Sequence, residues 1–401
     1  MLKSILTIVG GSAVSLLITI IASPILSRLY RPEDFGLVAS IMAPAAILSV
    51  IAPGRLGLAI PIAKSEQDAR DLFWLGTLSC LLMVPLLTAG TFLFVDMSID
   101  GLTTTQTFFA LLVITFFASE GEIVGFWRNR RKRFAFGARN GVIRSITVAI
   151  SQWSLHGVTH AGMLLGNFIG GIFAVSLSWA EIYRRDKNRL AGLPTRRRLK
   201  ELLVEYRDFP IFSMPQGLTA AINQNAVPLL LLWLSGSAVA GQYWLVFRVL
   251  VAPINILGGA YRQVMLSHLG ASDGNRDQDV RLVRQHVLVL TALCIPAVVL
   301  GLFFGEQLFR FAFGEQWQLA GIFASWLALG FAIDLIKVPA NCLLQRERKH
   351  HAILIFDIIA GILRAAALVI GYSVGGEVLA IQWFAFANLT VWTVFTLWAI
   401  R

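Results

Sequence analysis

Of 401 residues, 56% are hydrophobic and only 14% charged, with a formal net charge of +11. So little polar surface cannot cover a soluble globule of this length, which excludes an ordinary soluble fold. The cationic excess does not mark a nucleic-acid protein either, because no basic run is interleaved with base-stacking aromatics.

In chain order, twelve apolar stretches are long enough to cross a bilayer: residues 5–26, 36–54, 72–94, 107–127, 135–155, 161–182, 209–234, 241–262, 283–305, 319–342, 352–372 and 378–400. About 20 helical residues span the hydrocarbon core, so the pattern predicts an all-α polytopic membrane protein. The first stretch is too long for the roughly 7–15-residue core of a cleavable signal. The fifth is the least apolar, since it carries Arg139 and Arg144. Six spans precede the longest connection and six follow it, which predicts an N-terminal six-helix bundle over 1–184, a cytoplasmic linker over 185–207 and a C-terminal six-helix bundle over 208–401. Within the linker, Leu199, Leu202, Leu203 and Tyr206 recur at helical spacing opposite Arg196, Arg197, Arg198 and Lys200. That pattern predicts an amphipathic helix lying on the membrane surface.

Basic residues alternate by connection. Of 34 Lys and Arg, 27 fall in the even-numbered connections, at the span ends that border them (Arg139, Arg262 and Arg284) or at the two chain ends, and the odd-numbered ones hold only Arg28, Arg31 and Arg310. Basic loops stay cytoplasmic, so both termini are expected inside, with the inner loops facing anionic lipid headgroups. Removing the fifth span would break this parity. The outer connections, the longest being 95–106 and 306–318, leave no room for an extracytoplasmic domain. That weighs against a membrane glycosyltransferase or polymerase. Six plus six spans fit an internally duplicated transporter. A faint repeat agrees: Pro24 precedes Gly36 by 12 residues and Pro228 precedes Gly241 by 13, and Ala43-Pro44 matches Ala252-Pro253.

Charged groups inside spans cost roughly 2.5–3.5 kcal/mol on insertion scales, so each is a site hypothesis. Lys337 and Asp357 are each five residues from an inner span end, about 7–8 Å deep. They could pair across neighbouring helices, with Asp334 and Arg364 as a second rung. The same carboxylates, with Glu120 in the fourth span, could instead couple an ion gradient. Glu120 and Arg144 lie at similar depth and could be a structural pair or belong to a substrate path. Arg248 lies seven residues from the outer end of the eighth span, with no acidic residue in that span or the one before it. It either meets an anionic group through its two-pronged guanidinium or snorkels outward. Arg55 is its counterpart in the first half. The seventh span carries Gln216, Asn223, Gln224 and Asn225 with Pro215, Gly217 and Pro228, as a flexed, path-lining helix or an amide clasp would.

Cys80, Cys294 and Cys342 are scattered in apolar surroundings and read as packing. The histidines, including His156 and His160 at an outer turn, have no metal-site spacing, and no GxxxxGK[ST] phosphate loop is present. No metal, cofactor or catalytic centre is expected.

Three stretches carry a family resemblance. Ser23-Pro24-Ile-Leu-Ser-Arg28-Leu-Tyr30-Arg-Pro32-Glu33-Asp34-Phe35-Gly36 resembles the first span junction of Wzx-type polysaccharide repeat-unit flippases, of the multidrug/oligosaccharidyl-lipid/polysaccharide exporter superfamily. Leu58-Ala-Ile-Pro61 with Lys64-Ser-Glu-Gln-Asp68-Ala, and Phe313-Gly314-Glu315-Gln-Trp317-Gln-Leu-Ala320-Gly321, agree with it. The resemblance implies translocation of an undecaprenyl-pyrophosphate-linked oligosaccharide across the bacterial inner membrane, for O-antigen, capsule or exopolysaccharide, alongside other polysaccharide assembly proteins. Two positions depart from the pattern: Gly57 stands where relatives often carry Glu, and Arg31 replaces a small polar residue. A drug antiporter of the same superfamily is the rival; it should line its path with acidic groups. A non-transporting scaffold for a synthesis complex is another.

Overall fold

The computed structural model describes residues 2–94, 101–159, 161–271 and 276–401; residues 95–100 of the expected outer connection and His160 lie outside them. The described residues are almost wholly helical. In chain order the helices are α1 Leu2–Leu29, α2 Pro32–Ile51, α3 Glu66–Phe94, α4 Thr104–Arg130, α5 Phe134–Leu155, α6 Gly162–Asp186, α7 Arg196–Glu205, α8 Met214–Ser235, α9 Ser237–Val246, α10 Ala252–Ala271, α11 Arg276–Phe313, α12 Gln318–Ile336, α13 Val338–Arg346 and α14 His350–Ala399. A 3₁₀ turn, Leu56–Ile62, follows α2.

Local chemistry sets the helix starts. Pro32 opens α2 with Glu33 and Asp34 in its first turn, and Asp34 reaches back to accept the Arg31 N–H at 2.8 Å. Thr103 and Gln106 form a reciprocal capping box at α4, and the Thr195 hydroxyl caps α7. Two wide π turns, Phe209–Ser213 and Phe247–Val251, each end two residues before a proline, Pro215 and Pro253. Proline has no N–H to give the helical ladder, so the preceding turn loosens.

Nine helical segments among the described residues are long and apolar enough to cross a membrane. The last is 50 residues long but breaks at Gly375 and Gly376, the latter at φ 76°, and so forms two rods that match the eleventh and twelfth predicted spans. α5, and α9 continued through its π turn into α10, supply the remaining rods. The chain is a multi-pass helical membrane protein. Some boundaries differ from expectation. α11 starts at Arg276 and runs to Phe313, so most of the expected outer connection 306–318 is helix, as are Arg276, Arg281 and Arg284. α4 likewise continues through Arg128 and Arg130.

The chain forms two compact units. One comprises Met1–Ala22 and Leu37–Asn225; the other comprises Ser23–Gly36 and Ala226–Arg401. The core of the first unit is an aromatic cluster in which Phe73 meets Trp127 and Trp179 edge-on at 5.5 and 5.4 Å. α7 docks on this core through Leu199, Leu202 and Tyr206, so three of the four residues of its expected membrane face are taken up by protein. Leu203 and Val204 stay exposed beside it. In the second unit the segment Ser23–Gly36 is bonded in place. Trp317 donates its indole N–H to the Ser27 carbonyl at 2.8 Å, Ser27 donates its hydroxyl to the Phe313 carbonyl at 3.2 Å, and Phe35 stands edge-on to Trp317 at 4.7 Å.

Among the described residues, three that are not glycine adopt left-handed backbone: Arg55, Lys132 and Arg348, at φ 56°, 53° and 57°. Lys132 and Arg348 close helix ends in the Schellman manner, with Arg133 N–H on the Arg128 carbonyl at 3.0 Å and Lys349 N–H on the Leu344 carbonyl at 2.9 Å.

Candidate functional site

In the first unit, α5 and α6 pack almost backbone to backbone: a Cβ on Gly170 would come within 2.2 Å of Val148, and one on Gly166 within 2.4 Å of Gln152. Further along, small residues open a hollow. Ala118, Gly121, Gly137, Gly141, Gly171 and Ala174 line a cleft of about 400 Å³ among α2, α4, α5 and α6. Its polar wall is Glu122, Arg128, Asn140, Arg144, Asn167 and Ser178.

The bonding of that wall is incomplete. Arg144 is exposed to the hollow and, among the described residues, takes part in no hydrogen bond or ion pair. Arg128 donates one bond, Nη1 to Ser178 Oγ at 3.2 Å, while its Nε is buried without a partner. Asn140 donates Nδ2 to the Ala174 carbonyl at 2.9 Å and to Ser178 Oγ at 2.8 Å, leaving Oδ1 buried and unused. Glu122 is neutralised by Arg55, whose Nη1 lies 2.7 Å from Oε1. Arg55 lies against Gly217 of α8, where any Cβ would come within 2.5 Å of the guanidinium. Two cations therefore remain on the cleft wall. Glu181 lies within electrostatic reach of Arg128, but its own ion-pair contact, at 3.7 Å, is with Arg133. A second hollow of about 350 Å³ shares Arg128, Gly137 and Gly141 and adds Ser12, Ser15, Asn129 and Arg133.

The end of this unit where α4 meets α5 is riveted by charge. Arg133 grips Asp186 with two bonds, at 2.7 and 3.0 Å, and Trp127 donates to the same carboxylate at 3.1 Å. Arg198 of α7 bonds Asp68 of α3. Such a network fixes the helices around the cleft without entering it.

The other sequence-predicted residues are spread over both units. Glu120 is buried against α3 and does not pair with Arg144; its partner is the Thr77 hydroxyl at 3.1 Å. Gln216 is exposed, Asn223 half-buried, and Asn225 buried with its Nδ2 turned back on the Ala221 carbonyl at 2.8 Å. In the second unit, Arg248 sits in the π turn Phe247–Val251, half-buried, and has no hydrogen bond or ion pair among the described residues. The ladder expected between Lys337 and Asp357 takes another form. Lys337 pairs within its own rod, with Asp334 three residues back at 2.7 Å, and its ammonium lies 3.4 Å from the Trp392 ring centre. The reason is helical spacing: the backbone stays right-handed helical at Lys337, so Asp334 three residues back lies on the same face, within reach. Asp357 and Arg364 stay within electrostatic reach of that pair. Arg364 donates to Asn388 Oδ1 at 3.1 Å and the Ala360 carbonyl at 3.0 Å, rather than forming the expected second rung with Asp334.

Sequence reading missed Glu122, Arg128, Asn140 and Asn167. Arg128 falls one residue past the fourth apolar stretch, 107–127, and so reads as a connection residue, whereas α4 runs on to Arg130. Asn140 stands four residues before Arg144, which puts both on one face of α5, and that spacing was the available signal.

Residues 25–322 match the family model described as polysaccharide biosynthesis protein. No curated protein matches the sequence. Among solved structures, the fold is similar to lipid II flippase MurJ in an inward closed conformation, with TM-score 0.77 and 14% identity over 100% of this chain and 87% of that one. It is similar to an inward-facing multidrug resistance MATE family transporter of the MOP superfamily, with TM-score 0.65 and 13% identity over 98% and 93%. A MOP superfamily transporter from Pyrococcus furiosus gives TM-score 0.58 and 14% identity over 99% and 94%.

Proposed function

The chain belongs to the polysaccharide biosynthesis protein family, and on that premise we propose that it is a flippase for a polyprenyl-diphosphate-linked oligosaccharide. The observation that carries this reading is the cleft in the first unit, where Arg128 and Arg144 remain after Glu122 is neutralised by Arg55. Arg144, with no protein anion, and Arg128, with Glu181 nearby but no ion-pair contact, suit a diphosphate, and guanidinium is the side chain whose fork matches phosphate oxygens. Asn140, Asn167 and Ser178 add the amide and hydroxyl groups that sugar hydroxyls need. Sugar and diphosphate cannot cross hydrocarbon unaided, whereas the polyprenyl tail remains in lipid throughout. Translocation of this kind needs alternating access and no bond-making chemistry.

The setting that suits this activity is the bacterial inner membrane, with both termini cytoplasmic, a polysaccharide destined for the cell surface, an ion gradient as driving force and other assembly proteins as neighbours. A drug-cation antiporter is the weaker reading, because a basic cleft repels its cargo. The test is reconstitution of the purified chain in liposomes with a fluorescent polyprenyl-diphosphate oligosaccharide. Flipping that depends on Arg144 supports the reading. Export of an organic cation without any movement of the sugar lipid would defeat it.

A further inference from the structure

α4 has two functional faces. Successive residues along a helix are about 100° apart, so Glu120 and Glu122 point in nearly opposite directions. Glu122 lines the cleft, while Glu120 is sealed against α3 and is 1% exposed. Its Oε1 accepts the Thr77 hydroxyl at 3.1 Å, and its Oε2 is buried without a hydrogen bond of ordinary geometry. The groups that face it are Thr77 and Cys80 on α3, Ser119 on its own helix and the Trp179 indole on α6. The Ser119 hydroxyl is committed to the Thr115 carbonyl at 2.8 Å. The 3₁₀ turn Leu56–Ile62, also packed on α4, is wholly apolar, and Arg55 at its start is taken by Glu122. No cation compensates Glu120 among the described residues.

We propose that Glu120 is a proton-binding site, separate from the basic cleft and coupled to it through α4. This rests on the transporter reading above. An uncompensated carboxylate is costly in the interior of a membrane bundle, so an occupant that removes its charge is required. Sodium fits poorly, since a hard cation wants several oxygen ligands, and the Cys80 thiol and Trp179 indole offer none. A proton needs one oxygen, and Oε2 is free to carry it. Uptake and release transfer a proton between water and the carboxyl, with no other bond changed. The next two residues, Gly121 and Glu122, form part of the cleft wall, so any shift of α4 on α3 that follows the proton moves that wall.

Infrared difference spectroscopy of the purified wild type against Glu120→Gln tests the site without any sugar lipid. The expected result is a protonated-carboxyl band in the wild type that disappears in Glu120→Gln and shifts in Thr77→Val, which removes its hydrogen bond. Superimposable wild-type and Glu120→Gln spectra across the pH range would overturn the proposal, as would a band abolished by added sodium. In liposomes, an imposed pH gradient should drive sugar-lipid accumulation by the wild type by about tenfold per pH unit for one proton per cycle. Glu120→Gln should equilibrate the lipid but lose that drive; an undiminished response would overturn the coupling. A chain that shows the band yet moves no sugar lipid would defeat the flippase reading and leave the proton site standing.

Discussion

Gly36 and Gly241 are pressed against each other's helices where α2 crosses α9. A Cβ on Gly36 would lie 1.9 Å from the Ser237 carbonyl oxygen, and a Cβ on Gly241 would lie 1.8 Å from the Pro32 carbonyl oxygen and 2.7 Å from the Gly36 nitrogen. These are the two residues that the faint internal repeat sets in corresponding positions. Gly36→Ala or Gly241→Ala should therefore lower the stability of the second unit by at least roughly 1–3 kcal/mol, the usual range for overpacking. Gly90→Ala, in an open helical position with nothing within 4 Å, should stabilise by up to about 1 kcal/mol. Thermal unfolding in one detergent compares the three; equal midpoints would contradict the crossing.

Arg144 and Arg55 should separate by what their loss does. Arg144→Ala removes no protein partner, so stability should stay within about 0.5 kcal/mol while flipping of the diphosphate-linked lipid falls. Arg55→Ala leaves Glu122 unpaired and should destabilise, and Glu122→Gln in the same chain should restore about 1 kcal/mol. A double-mutant cycle with zero coupling would remove Arg55 and Glu122 as a pair.

Arg248 carries the matching expectation for the second unit. Arg248→Ala should reduce flipping at equal membrane abundance, and Arg248→Lys should rescue only in part, because lysine keeps the charge and loses the fork. Wild-type flipping by Arg248→Ala would assign the side chain to the outer interface instead.

Glu347 gives a pH dependence outside the membrane spans. Burial alone would raise its carboxyl, but ion pairs with Lys349 at 2.7 Å and Arg276 at 2.9 Å outweigh that and hold it below the usual glutamate range. A lowered carboxyl stabilises the fold above its unfolded value, about pH 4.3, and that contribution disappears as the pH falls through the folded value. Acid unfolding of Glu347→Gln should start from lower stability at pH 7 and fall less steeply between about pH 5 and 3. Parallel curves would show that Glu347 is not held this way.

Sidedness can be read by thiol labelling. Cysteine at Gly157, an exposed position, should react with an impermeant reagent from outside, and cysteine at Asn188, also exposed, should not. The reverse would invert the proposed orientation. Ser98 and Asn275, equally suited by sequence, lie outside the described residues.

Much of the helical order was legible because span length and helix starts are local. The twelve apolar stretches and the helical spacing of Leu199, Leu202 and Tyr206 are each read within a few turns of chain. The cleft was legible only in part. Depth along a span can be counted, but the face on which a charge emerges depends on which helices pack together. Glu120 and Glu122 look equivalent by depth and end on opposite sides of α4. The docking of Ser23–Gly36 onto Trp317 joins segments nearly 290 residues apart, which no local pattern encodes.

The three left-handed corners at Arg55, Lys132 and Arg348 each hold a cation where glycine would sit without strain, a difference on the order of 1 kcal/mol per corner. All three lie in connections that the charge pattern places on the cytoplasmic side. At Arg55 the ion pair with Glu122 offsets that strain, but at Lys132 and Arg348 a chain selected for folded stability alone would have glycine. One selected to enter the bilayer the right way round keeps a positive charge at the corner, where it holds back the loop as the next helix inserts. The residue that ends one helix thus also orients its successor, and glycine at Lys132 and Arg348 would trade a firmer fold for a less decided sense of insertion.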